Sequence, residues 1–396
     1  MAKKLIRVWL FVMTIVLFSS ISVFAETEDG VPAEDGVEVE DALQDEDGVQ
    51  GDFFIKNVVV NGERIENYHL QYSIILFDDT MYIPLVPEMR EIFGVEMEMD
   101  WESHTLKLFK VEPTRKNISD NWLKNDARPL PLKVVPEAVV FAYAPEIVDE
   151  DEAAAETDEA DETVEPELRE EEIDLNGWPL LEKDKHLYIP LRAIAGNELF
   201  DWDIHFDNYY GVCISTDSSI PAITWFDEWE ALENRGLTNY ILRFNSRLAP
   251  SYSLQLVFLF KRAGDVYEID PKLLMAIAHR ESTFNNGSIG RGGSAGLMQI
   301  MPATGARYGL TREQLLDPKT SIDFGAMYMR DRLTLFDGDM TLALSAYNQG
   351  ITTVNRGRHS LTYANRVIAT HEGVYNYLIV NGFMVAEEQE DPTDIE

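Results

Sequence analysis

The sequence predicts an α+β multidomain chain, with a small β-rich repeated region in its N-terminal half and an all-α domain towards its C-terminal end. Three observations carry this. Between about residues 53 and 217, apolar and polar residues alternate at period two near Asn-Gly pairs. From about residue 225 onward the period becomes that of a helix. Two acidic, low-complexity stretches, 26 to 52 and 145 to 174, separate the patterned segments. At 396 residues with 45% hydrophobic content, the chain can bury more than one core.

The N-terminus comes first. Lys3, Lys4 and Arg7 precede the apolar run Val8 to Phe18, and Val23-Phe24-Ala25 offers small residues where a signal peptidase reads. A cleaved secretory signal over 1–25 is expected, and an uncleaved membrane anchor is the alternative. No cysteine stands there for lipid attachment.

The first acidic stretch repeats Glu-Asp-Gly-Val at 28 to 31, 34 to 37 and 46 to 49, and the second is dominated by Asp, Glu and Ala. Such segments repel themselves and lack core-forming residues, so extended linkers are expected. They lack the ligand spacing and distal glutamate of a calcium loop.

Between them lies an internal repeat. TMYIPL at 80 to 85 returns as HLYIPL at 186 to 191, with Asn61-Gly62 and Asn176-Gly177 upstream. Val95, Met97 and Met99, like Trp202, Ile204 and Phe206, alternate with polar residues. The pattern over about 53–110 and 175–217 resembles the stalk-like domain named after the N-terminal domain of copper amine oxidases. That resemblance implies a spacer or wall-binding module in a secreted protein of a Gram-positive bacterium. Neither copy holds a His cluster, so no copper chemistry is expected.

The net charge of −37 is uneven: residues 252 to 381 hold 13 Lys and Arg against 11 Asp and Glu, about +2. The acidity therefore lies elsewhere and argues against a nucleic-acid partner. Cys213 is the single cysteine, which leaves no intramolecular disulfide and no cysteine-based zinc site.

In the helical part, Asp270-Pro271 supplies an N-cap oxygen and a proline at the first helical position. Leu274, Ile277 and Ala278 then share a face with Glu281. A carboxyl at the end of a buried stripe is held towards its neutral form, as a general acid working near neutral pH requires. The loop beyond carries Gly287, Gly290, Gly292 and Gly293 without a phosphate-loop pattern, so close approach of backbone to a ligand is expected. Gly296-Leu297-Met298-Gln299 then sets an amide beside apolar groups, a mixed surface suited to sugars.

Glu281-Ser282-x-Phe284, Gly296 to Gln299, Met301-Pro302-Ala303-Thr304, Leu316-Asp317-Pro318, Ala343 to Gly350 and Tyr363 stand in the order found in soluble lytic transglycosylases, and residues 255 to 381 resemble their catalytic domain. The resemblance implies a lysozyme-like helical fold acting on peptidoglycan glycan strands at the β-1,4 bond between N-acetylmuramic acid and N-acetylglucosamine, with no cofactor or metal. Glu281 would be the catalytic acid and base. Met298, Gln299, Tyr347, Asn348, Tyr363 and Ser282 would be substrate-binding, with Met298 lining the cleft, Gln299 bonding the glycan and Ser282 also holding the helix end. The pattern departs from the family at three places: Gly290 where a serine is usual, His359 where a Glu is common, and Gln349 where an alanine is usual. A goose-type lysozyme and a non-enzymatic wall-binding module are the rival readings. The expected division is signal 1–25, acidic linker 26–52, repeat 53–110, connection with acidic linker 111–174, repeat 175–217, helical connector 218–251, catalytic domain 252–385 and acidic tail 386–396.

Overall fold

The structure, a computed structural model, describes residues 48–67, 70–115, 130–145 and 168–385. The expected signal segment, most of both acidic stretches and the acidic tail lie outside the described residues. All of the described residues belong to the unit Glu46–Glu396.

Strands β1 (Gly48–Phe53), β2 (Asn57–Val60), β3 (Glu63–Ile65), β4 (Ile75–Phe77) and β5 (Thr80–Pro84) lead to helix α1 (Pro87–Phe93), β6 (Val95–Asp100) and β7 (Thr105–Lys110). Next come β8 (Leu130–Val135), β9 (Val139–Pro145), β10 (Leu168–Glu172), β11 (Leu180–Lys183), β12 (His186–Pro190), α2 (Leu191–Ala195), β13 (Asp203–Asp207) and β14 (Gly211–Ser215). They form a closed barrel in the order β1-β4-β5-β12-β11-β8 and two four-stranded sheets, β10-β9-β7-β6 and β13-β14-β2-β3.

The two copies of the repeat meet in that barrel. β5 and β12 pair antiparallel with Ile83 opposite Ile189, Tyr188 opposite Pro84 and Pro190 opposite Tyr82. All of Tyr82, Ile83, Tyr188 and Ile189 are buried. Each copy thus covers the other's strand edge, which an isolated unit would leave open. The Asn-Gly pairs turn as expected: Asn61 and Gly62 have φ of 50° and 84°, and Asn176 and Gly177 have 53° and 80°.

Three differences from the sequence expectation follow from non-local pairing. β1 begins inside the acidic stretch 26–52 and pairs with β4 and β8. The expected connection 111–174 contributes β8, β9 and β10, with β9 parallel to β7. Glu-rich β10 lies at a sheet edge, where charged side chains reach solvent, and Tyr143 donates to Glu170 at 2.5 Å.

The helical part consists of α3 (Glu228–Phe244), α4 (Pro250–Tyr267), α5 (Pro271–Ser282), α6 (Pro302–Gly305), α7 (Arg312–Leu315), α8 (Pro318–Leu335), α9 (Met340–Gln349), α10 (Ile351–Asn355) and α11 (Thr362–Val380). Proline opens α4, α5, α6 and α8, where its missing N–H costs nothing. Asp227, Asp270, Asp317 and Asp339 accept backbone N–H bonds as N-caps of α3, α5, α8 and α9.

Helix α3, expected as part of a connector, belongs to two cores. Leu237, Tyr240 and Ile241 pack into the helical core, while Ala231 packs with Val59, Tyr210, Cys213 and Ala222 of the β-rich part. Polar bonds reinforce this junction. Lys261 reaches Glu230 at 2.6 Å and Asn234 at 3.0 Å, and Asn234 donates to the Tyr209 carbonyl at 2.8 Å.

Candidate active site

Helix α5 runs through the helical core with Lys272 to Ala278 all buried. It packs against α11, α4 and α8. Its N-terminus is fixed by Asp270, which accepts from the Lys272 N–H at 2.9 Å and the Tyr375 hydroxyl at 2.9 Å and bonds His371 Nε2 at 2.5 Å. Burial alone would raise the Asp270 carboxyl, but these bonds hold it below the usual range. The helix ends just past Glu281. Thr283 and Phe284 have φ of 53° and 58°, a left-handed region costly for such side chains. Phe284 is fully buried and stacks at 5.7 Å on His279, which packing offsets the backbone cost.

Glu281 is half-buried where α5, α9 and α11 converge, and Tyr363 on α11 donates to its Oε1 at 2.6 Å. Burial raises the Glu281 carboxyl above the ordinary range, and the Tyr363 bond opposes that rise only in part. Tyr347 on α9 donates to the Met298 carbonyl at 3.0 Å, and its own hydroxyl is pushed well up, by burial first and by the Glu281 charge second. Both tyrosines therefore stay neutral donors beside the acid.

The glycine-rich loop is braced from within. Gln299 Nε2 donates to the carbonyls of Ser288 and Gly296, both at 2.9 Å, and Oε1 accepts from Ser294 Oγ at 2.7 Å. Gly290 lacks a side chain because a Cβ there would lie 2.4 Å from Ser294 Oγ and 2.7 Å from Gln299 Oε1. At Gly296, φ is 81° and a Cβ would fall 1.9 Å from the Leu315 carbonyl oxygen. These two glycines serve close packing of the loop on itself and on α7; for Gly290 the sequence suggested approach to a ligand instead.

Glu281, Tyr347 and Tyr363, named from the sequence, come together here. The other named residues fare differently. Met298 does not line a cleft with its side chain: it is fully buried against Gly325, and only its carbonyl serves the cluster. Gln299 has its amide committed to the loop, so holding that loop is its visible work. Ser282 Oγ donates to the Ala278 carbonyl at 3.1 Å, which occupies it with the helix end. Asn348 is exposed beside Tyr347.

Two further side chains stand out in the folded loop. Met301, quoted from the sequence only as part of a motif, is 44% exposed directly after buried Ile300. The bridges Ala295 to Ile300 and Ala295 to Ile289 set which side chains turn inward, and no local period announces such a bridge. Ser294 supplies a hydroxyl in the space next to Gly290, a contact made by chain folding across four residues. Among the described residues no group of three His, Cys, Asp or Glu could hold a metal ion. What the cluster can do is give and take one proton at Glu281, with neutral hydroxyls fixing its orientation.

A family model described as transglycosylase SLT domain matches residues 258–365. The transglycosylase of Enterobacteria phage PRD1 is 35% identical over 106 residues, covering 27% of this chain and 39% of the phage protein. The soluble lytic murein transglycosylase of Escherichia coli K12 is 32% identical over 142 residues, covering 34% of this chain and 20% of that protein. An Escherichia coli protein named X polypeptide is 36% identical over 124 residues, covering 29% of this chain and 73% of that one. The chain thus spans less than half the length of the first two relatives.

Proposed function

Through residues 258–365 the chain belongs to the transglycosylase SLT domain family, and on that premise we propose that it is a lytic transglycosylase of peptidoglycan that leaves 1,6-anhydro-N-acetylmuramic acid ends. The observation that carries this reading is the pairing of Glu281 with the Tyr363 hydroxyl rather than with a second carboxyl. Hydrolytic glycosidases usually employ two carboxyl groups, the second as nucleophile or as base for water. Among the described residues, Glu281 has the Tyr363 hydroxyl as its bonded partner and no second carboxyl bonded to it.

The chemistry then needs one group acting twice. Protonated Glu281 gives its proton to the glycosidic oxygen as the bond to C1 breaks. The resulting carboxylate takes the proton of the same sugar's C6 hydroxyl as that oxygen bonds to C1 and closes the anhydro ring. The nucleophile is part of the substrate, so its proximity replaces a protein base for water. Tyr363 steadies the carboxylate between the two transfers through its hydroxyl. Exposed Met301 and Asn348 are available to the glycan.

The basic residues and apolar run at the N-terminus support secretion, and the resemblance of the repeat to a stalk-like domain of secreted Gram-positive proteins supports a place at the wall of such a cell. In that setting the N-terminal β-rich part serves as a wall-facing stalk. Digestion of purified peptidoglycan followed by mass spectrometry tests the activity. Anhydro ends are the expected product; reducing ends would indicate a hydrolase, and absence of cleavage a binding module.

A further inference from the structure

Gln349 closes α9 two residues beyond Tyr347, and its side chain reaches across to the segment that leads into α11. Gln349 Nε2 donates to the Ser360 carbonyl at 2.7 Å, and the Ser360 N–H donates to Gln349 Oε1 at 2.8 Å. The amide thus satisfies both backbone groups of one residue, as a neighbouring strand would. Ser360 in turn accepts from the Thr362 N–H at 3.2 Å and donates to Thr362 Oγ1 at 3.0 Å, fixing the first turn of α11. Tyr363 is the next residue, and its hydroxyl bonds Glu281 at 2.6 Å.

Without the amide, the stretch from α10 to α11 has fewer restraints. Gly357 there has φ of 64°, and Arg356 to Arg358 are exposed. We infer that Gln349 is a positioning residue for the reaction, tying the start of α11 to the end of α9 so that the Tyr363 hydroxyl stays on Glu281. The inference rests on the proposed cleavage through Glu281.

The consequence has a sign. Glu281 is faced by Tyr363 from α11 and Tyr347 from α9, with Arg280 beside it on α5 and Arg332 on α8 acting on Tyr347. Of these, the Tyr363 bond is what pulls the carboxyl down against burial. Loosening it moves Glu281 further up, so the acid form persists to higher pH and the alkaline fall of activity shifts upward. At the same time the less ordered hydroxyl serves the developing carboxylate worse, and turnover drops.

The test uses the full chain and soluble peptidoglycan glycan strands, with kcat and KM followed across pH. Gln349→Ala is expected to lower kcat by a factor between a few and about 10², the upper end being the cost of a misplacement of about 1 Å at a reacting centre. It should move the alkaline limb in the direction that Tyr363→Phe moves it. In the Tyr363→Phe background, Gln349→Ala should add no further movement, because both act through one bond. Gln349→Met keeps the side-chain length while removing both hydrogen bonds, and reports the same if the alanine variant is poorly folded. A lower melting temperature with the alkaline limb unmoved, or limb shifts that add, overturns the inference. Wild type and Glu281→Gln separate the two levels: cleavage that survives Glu281→Gln defeats the proposed function. Glu281-dependent cleavage with wild-type behaviour of both Gln349 variants defeats only the positioning role.

Discussion

The β-rich region and the helical region solve the same problem from opposite directions. In the first, strands close on partners far along the chain: β14 lies parallel to β2, and Asn61 bonds Thr216 at 2.9 Å. In the second, most of the long helices begin at their own proline or aspartate, and long-range bonds such as that between Glu281 and Tyr363 join helices already started locally. The repeat in the β-rich region was visible as a repeat, yet its two copies share one barrel, completed by strands from outside them. Recurrence in a sequence identifies like pieces, and only the pairing of their edges decides whether they fold apart or together.

The largest expected effect is on the helical side. Glu281→Gln should remove at least the roughly 10²–10⁴-fold given by general acid–base catalysis, measured as release of anhydro ends. The fold should survive. A carboxyl raised in the folded state contributes stability below the ordinary glutamate range and loses it as pH rises through its own higher value. Glu281→Gln should therefore melt above wild type at neutral pH, with the difference closing under acid conditions; a variant that melts lower at neutral pH contradicts this burial.

Next comes the shared barrel. Ile83→Ala and Ile189→Ala sit opposite one another and are both buried, so each should cost about 2–5 kcal/mol in denaturant unfolding. Because they touch, the double variant should depart from the sum of the singles. Independent, additive losses in two separate transitions would restore the picture of two units.

Gly296→Ala returns to the site and tests how far the loop depends on close backbone approach. A Cβ set 1.9 Å from the Leu315 oxygen, at φ of 81°, should cost about 2–4 kcal/mol and disturb cleavage through Gln299. Unchanged melting and activity would mean the loop yields freely.

The smallest effect is expected at the junction. Burial alone would raise Glu230, but Lys261 overrides it and holds the carboxyl low. Lys261→Met should cost about 1–2 kcal/mol at neutral pH. That loss should shrink as pH falls through the depressed value of Glu230, because protonation ends the pairing. Calorimetry that resolved separate β-rich and helical transitions in this variant alone would sharpen the contrast between the regions.

Local signals were the legible ones. The Asp270-Pro271 start, the Asn-Gly turns and Glu281 at the end of a buried stripe each depend on residues within one or two turns. Tyr347 and Tyr363 were reached through motif order, which stands in for distance. Met298 and Met301 are three apart, and the bridges at Ala295 that bury one and expose the other leave no period to read. Gln299 was read as a free amide because its three partners are supplied by the folded loop. The strands of 130–145 were hidden by their distance from β1 and β7, and α3 by its serving two cores.

The pairing of β5 with β12 also orders events during synthesis. A chain made from its N-terminus has β5 in hand long before Pro190 is added, and until then one edge of that strand stays open. Apolar Ile83 and Tyr82 are on that strand, so the nascent chain carries an adhesive edge across the whole interval in which residues 85 to 185 are being added. The acidic residues crowded between 145 and 174 are translated in that interval and lend the waiting chain a like-charge repulsion from its neighbours.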